Sequence, residues 1–428
     1  MYIKEGDCLW SQYSTKAVAH TIKWYSHYTF DYPYPIAWSI DGSMGMEYPM
    51  ICFNYGRCEE DNTYSKRTKY GHIGVIIHEV GHNWFPMIVN SDERQWTWMD
   101  EGLNSFVQYL AEQQWERNYP FRRGPARNIT NYMGGDKSNI MPIMTNSESI
   151  PQFGNNAYGK PATALNILRE TVMGRELFDY AFKEYSNRWR FKHPEPGDLF
   201  RTMEDASGVD LDWFWRGWFY TTDHVDQEIV NVEWFQTTSK DPEVVKGEAK
   251  ATKPRPDIGW ERNENEIAKT YDEEDPSLRD FYSTYDPLDV TNADKRDYNR
   301  YFESLSEEEK EVLSSGDHFY EIALKNNGGL VMPVILEFVY EDGEVEIHRI
   351  PAEIWRRNAQ SIKKVFRTDK RVVNIVLDPY QEIADVDTAN NIFPREEEKP
   401  NRFELFKRNF RQMDNAMQRA KKDKVIRP

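Results

Sequence analysis

Three cysteines in 428 residues are too few for a disulfide framework. Cys52 and Cys58 can pair across a short loop, which leaves one thiol over, and neither an oxidising nor a reducing compartment is excluded. No cysteine has metal-ligand spacing to a histidine. Long apolar runs are also missing: no stretch approaches 18 residues, so nothing is expected to span a membrane. The first residues, Met1 to Asp7, contain no apolar signal core. Basic residues are outnumbered, 54 − 71 = −17, which argues against nucleic acid as a partner. The acidic balance suits solubility and, mildly, cationic ligands such as free amino termini. Internal repeats are absent. The compartment stays open, an extracytoplasmic location included if the native chain begins further upstream.

What the chain does have is core-forming material, 39% hydrophobic and 14% aromatic residues, in a length that suggests two or three domains. It also has one pattern that carries chemistry. His78-Glu79-Val80-Gly81-His82 places two imidazoles at i and i+4, on one face of a helix and within reach of one zinc ion. Ile73, Ile76, Ile77, Val80 and Trp84 recur at helical spacing and predict a helix over about 72–89, with Gly71 before it and Pro86 near its end. Glu101 follows after eighteen intervening residues and opens a second helical pattern with Leu103, Phe106, Val107 and Leu110 on its core face. As third ligand it leaves one coordination position open, which catalytic zinc sites need. Satisfied core histidines are the competing reading.

Around this pattern the chain divides into stretches of different character. Residues 11–29 read as a helix. Ile36 to Ile40 and Met50 to Tyr55 read as short strands flanking a turn-like segment, Gly42 to Pro49. From 112 to 227 the pattern is helical, with Pro161 at a first turn, Gly208 at a C-cap, and Trp213, Phe214, Trp215, Trp218 and Phe219 read as core. Ile229 to Phe235 alternates like a strand. Residues 237–315 are charged and proline-rich and read as an inserted excursion, partly disordered. Phe319 to Lys325, Met332 to Tyr340, Glu344 to Ile350 and Val372 to Leu377 complete a small β-sandwich. Residues 401–428 form a basic amphipathic pattern that suits docking onto the body.

These residues resemble the aminopeptidase N family of zinc metallopeptidases (gluzincins), which also includes the leukotriene hydrolases. The likeness rests on Met46-Glu47, the His78, His82 and Glu101 set, Trp98 to Gly102, the run Trp215 to Asp226, and Tyr158 before Lys160, all in family order. It spans roughly residues 20–225. Two stretches depart from it. The family's Gly-Ala-Met-Glu-Asn is here Met44-Gly45-Met46-Glu47-Tyr48, and Pro161 stands where the family usually has glycine.

The resemblance implies an α+β fold: a mainly helical, thermolysin-like zinc peptidase core (1–111 zinc-binding, 112–227 helical), a β-sandwich over 228–400 and a C-terminal helix. It implies one Zn2+ on His78, His82 and Glu101, with Glu79 as general base and Tyr158 stabilising the oxyanion. Glu47 is implied to bind the substrate's α-ammonium. Asp100 is expected to orient a ligand, and Met44 and Met46 to line a side-chain pocket. The expected substrates are peptides with a free amino terminus. The family's large N-terminal β-domain has no counterpart here, so a longer native chain is expected to supply it. Two rivals remain at this point, an inactive peptidase-like module that binds peptides or partners, and a zinc endopeptidase.

Overall fold

In a computed structural model of the protein, residues 7–237, 240–252 and 256–395 are described. The expected C-terminal helix, 401–428, lies outside them. Short helical segments, Asp7–Leu9 and Trp10–Ser14, lead into a helix, Thr15–Tyr28, and a three-stranded sheet of β1 (Trp38–Asp41), β2 (Met46–Tyr48) and β3 (Ile51–Asn54), in the order β1-β3-β2. β1 runs parallel to β3 and β2 antiparallel, with Glu47 opposite Cys52. The segment read as a turn between two strands therefore contains a third. Cys52 points from β3 into a small core with Ala17, Val75, Ile76 and Val80. That burial takes it out of reach of Cys58, and the expected pairing is corrected: Cys58 bonds Cys8, fifty residues away, and Cys52 is the free thiol.

The helix carrying the His-Glu motif runs Lys66–Gly81, capped by Ser65, whose hydroxyl accepts from Thr68 N at 3.0 Å. It starts six residues before the expected point, so Gly71 lies inside it. It ends earlier too, because Phe85 is non-helical and Pro86 follows a cis peptide. Every residue from His72 to Gly81 is buried. One side packs against the sheet, another against the helix Leu103–Trp115 that begins just after Glu101. A large aromatic core closes around them: Trp84, Phe85, Trp98, Phe106, Phe178, Phe182, Phe214 and Trp218. Helices Lys160–Ile167, Arg175–Trp189, Pro196–Ser207 and Asp212–Tyr220 supply its far side. Gly208 caps the third of these at φ 69°, and Trp215, Trp218 and Phe219 are core as read.

Beyond residue 226 two sheets face each other. One has the order β4-β5-β8 (Gln227–Gln236, His318–Asn326, Ser361–Thr368). The other has the order β10-β9-β6-β7 (Ile392–Phe393, Val372–Leu377, Val334–Tyr340, Val345–Ile350). Alternate side chains meet between them: Ile229, Tyr320, Ile322, Leu324 and Phe366 against Leu336, Phe338, Ile375 and Leu377. β8 and β10 went unread in the sequence. The sandwich seats on the helical core through Val225, Leu330, Met332 and Ile335. Gly328 permits this approach, since a Cβ there would overlap His224 O.

Between β4 and β5 the charged stretch is drawn as helices, among them Pro242–Ala251, Asn292–Glu303 and Glu307–Ser315, with no buried residue in any of the three. These helices are held by local hydrogen bonds. Thr291 with Asp294, and Ser306 with Glu309, form capping boxes that satisfy first-turn amides without a core. Among the described residues no helix is long and apolar enough to cross a membrane.

Candidate active site

The motif helix sets the site's geometry. His78 and His82, one turn apart, have ring centroids 4.6 Å apart. Residues 98–102 form a wide turn before the next helix, and this turn carries Glu101 back to both rings. Glu101 Oε2 stands 2.9 Å from His78 Nε2 and 3.4 Å from His82 Nε2.

Proton counting decides what such a cluster can hold. Gln108 Nε2 donates to Gly74 O at 3.2 Å and to Glu112 Oε1 at 2.8 Å, so its carbonyl oxygen is left to face His78 Nδ1, at 2.8 Å. That oxygen only accepts, so the His78 proton sits on Nδ1. His82 Nδ1 faces the Phe85 carbonyl at 2.9 Å, with the same consequence. In the neutral rings both Nε2 atoms are then bare lone pairs aimed at a carboxylate. Three acceptors converging with no donor between them repel one another unless a cation sits there. Two imidazoles and one carboxylate are a zinc donor set, and their outward N–H groups are held as zinc-binding histidines usually are. His78, His82 and Glu101 thus fit the metal.

Neighbouring charges are arranged around this point. Burial drives the His78 pKa down. Asp100 Oδ1 lies 2.9 Å from His82 Nδ1, where its charge orients the ring. Burial pushes Asp100 up to about 7.

Glu79 is not among the three facing atoms. It is buried beside them, and burial pushes its carboxyl up to about 8, with His82 opposing and Glu47 and Glu101 adding to the rise. A divalent charge on the ligands acts in the opposite sense. Tyr158, on the wide turn Gly154–Gly159, donates to Glu101 Oε1 at 2.6 Å and stacks on His78 at 5.9 Å between centroids. Glu47, half-buried on edge strand β2, shares a cluster with His82 and Asp100 whose polar atoms lie within 4.8 Å of one another.

The six residues expected to bind metal, catalyse or meet the amine (His78, His82, Glu101, Glu79, Tyr158 and Glu47) therefore meet at one place. Met44 does not fit its expected part: it is 63% exposed, on the open side of its loop. The sequence reading missed Gln108, which fixes the His78 tautomer, and Gly45. Gln108 was findable, since it lies seven residues, two helical turns, beyond Glu101.

Gly45 presses its α-carbon against the base. A Cβ there would overlap Glu79 Oε1 and come to 3.0 Å from Val75 Cγ2. Gly45→Val is expected to displace Glu79 and lower kcat by about 10²-fold, the scale of an ångström-sized misplacement of a reacting group. Thermal melting that stays cooperative, with zinc retained, separates this from unfolding.

Beside His78, Glu79 and Tyr158 opens a cleft of about 910 Å³, near the upper end of the usual range for ligand sites.

The comparisons agree with this geometry. Residues 13–218 match the peptidase family M1 domain. Probable aminopeptidase 1 of Sulfurisphaera tokodaii is 27% identical over 198 residues, 44% of this chain and 25% of that protein. Glutamyl aminopeptidase of Sus scrofa is 24% identical over 195 residues, 44% of this chain and 20% of that protein. The matched region spans about a quarter or less of these relatives' length. The crystal structure of Legionella pneumophila aminopeptidase A in complex with aspartic acid superposes with a TM-score of 0.51 at 11% identity, covering 88% of this chain and 34% of that one, a likeness of fold. Over residues 13–218 the chain is thus similar to the peptidase M1, or aminopeptidase N, family, and its fold is α+β.

Proposed function

We propose that the protein is a zinc aminopeptidase that hydrolyses the first peptide bond of substrates with a free α-amine. The observation that carries this reading is the convergence of two bare imidazole nitrogens and the Glu101 carboxylate beside Glu79, Tyr158 and Glu47. Zinc on His78, His82 and Glu101 supplies Lewis-acid polarisation when bound. Glu79 takes a proton from the attacking water and delivers it to the leaving amine, and its low-dielectric pocket keeps that proton close to the reacting atoms. The Tyr158 hydroxyl, held by Glu101, turns to donate a hydrogen bond to the oxyanion. Glu47 meets the α-ammonium and so sets how much peptide fits between the amine and the ligands.

The last role separates an exopeptidase from an endopeptidase. Glu47→Ala is expected to weaken kcat/KM on alanyl arylamides by about 10- to 100-fold, the worth of one charge-assisted contact. Turnover of N-acetylated peptides by the native protein, insensitive to Glu47→Ala, would identify an endopeptidase instead.

A further inference from the structure

Arg123 forms the far wall of the active-site cleft, next to Arg122 and across Tyr158 from the ligands. Its guanidinium carbon lies over the Tyr158 ring, 4.1 Å from the ring centre. It donates one hydrogen bond, Nη1 to Ser105 Oγ at 3.3 Å. Among the described residues it enters no ion pair, although the group is half-buried and carries five N–H donors. Glu101 and Glu112 act on it only through space.

Arg169 shows what this fold does with a buried guanidinium that needs nothing from outside. Its Nε and Nη2 hold Asp179 at 2.6 and 2.8 Å, and its Nη1 holds Glu170 at 2.7 Å. A half-buried charge is costly unless it is paired, and Arg123 faces a cavity. The contact with the Tyr158 ring and the hydrogen bond to Ser105 hold the guanidinium at the cleft. Glu47 stands on the His82 side of the ligand set and Arg123 on the His78 side, beyond Tyr158. The site is therefore negative where a peptide's amine is proposed to sit and positive where the rest of the peptide leaves.

We propose that Arg123, with Arg122 beside it, binds a carboxylate on the leaving side of the scissile bond and so makes this site selective for substrates that carry one there. The proposal rests on the aminopeptidase reading above. The carboxylate has two possible sources, the C-terminal α-carboxylate of a dipeptide or the acidic side chain of the second residue. The planar fork suits either one through two parallel hydrogen bonds.

The test compares alanyl-alanine, alanyl-alanine amide and alanyl-aspartate amide on the full chain loaded with zinc. For the native protein, kcat/KM on at least one of the two carboxylate-bearing substrates is expected to exceed that on the plain amide by about 10- to 100-fold. The substrate that gains identifies the source. Arg123→Met should bring that ratio towards one, and Arg123→Lys, which keeps the charge but not the fork, should leave it in between. Calorimetric binding of the same ligands to the Glu79→Gln protein, with and without Arg123→Met, gives a readout that needs no turnover.

No preference for either carboxylate, or an equal loss on acid and amide in Arg123→Met, overturns the proposal; in the latter case Arg123 merely braces Tyr158. If the native protein cleaves none of the three, the hydrolase reading fails, and the binding arm still decides the role of Arg123.

Discussion

Glu79→Gln is expected to lower kcat on amino-acid arylamides by about 10²–10⁴, the usual contribution of a positioned general base, with zinc content unchanged. The two parts of this expectation have separate physical origins. Glutamine keeps the volume and one carbonyl oxygen, so the pocket formed by Gly45, Val75 and the motif helix is still filled, and nothing need move. It cannot take a proton, so the step in which the attacking water is deprotonated loses its acceptor. The metal should stay because the facing ligand atoms belong to His78, His82 and Glu101, not Glu79. The substitution also removes a buried carboxyl that burial pushes up to about 8. Such a group is protonated more readily folded than unfolded. It favours the fold at low pH, and that benefit fades as pH rises through the unfolded and then the folded value. With zinc removed from both, Glu79→Gln should therefore melt no lower than the native protein at pH 8, as followed by circular dichroism. Zinc loss, or arylamide turnover near the native rate, would remove Glu79 from the mechanism.

Sequence legibility followed the range of the interactions involved. The ligand set could be read because its spacing is local: i and i+4 on one helix, and a carboxylate at the mouth of the next. Even so, the motif helix starts at Lys66 instead of residue 72, because Ser65 caps it with a hydroxyl the apolar periodicity does not register. The turn at Phe85 and cis Pro86 ends it early. Residues 237–315 lack core-forming runs, and that composition hid the short-range S-x-x-E signal of Ser306 and Glu309. β8 was masked by Lys363 and Lys364, which interrupt the apolar alternation around buried Phe366. The Cys8–Cys58 bond and the contacts of Gly45 with Glu79 and of Arg123 with Tyr158 all join distant segments. No pattern in a single sequence encodes those. Tyr158 and Glu47 lay between these extremes, since only the family resemblance gave them roles, and the fold then placed both beside the ligands.

Glu101→Ala should have the largest effect on the site, and it can be read without any substrate. Glu101 touches three of the others: both Nε2 atoms through Oε2, and the Tyr158 hydroxyl through Oε1. Removing it takes away the only anionic donor of the three and leaves two neutral imidazoles on one face of a helix, too few for a zinc site. Zinc affinity is expected to fall by well over the 10- to 100-fold typical of losing an outer-shell partner, and arylamide turnover to fall to background. Stability provides the independent check. A ligand that binds only the folded state stabilises it by about 2.7 kcal/mol at one hundred times its Kd. Chelation of the native protein should therefore lower Tm, and zinc should restore it. Glu101→Ala should be indifferent to both treatments. It should also free the Tyr158 ring, detectable as a change in tyrosine fluorescence or ring-proton shifts that Tyr158→Phe abolishes. A zinc-dependent rise in Tm for Glu101→Ala equal to that of the native chain would mean that the metal is held elsewhere, and the convergence at His78 and His82 would lose its chemical meaning.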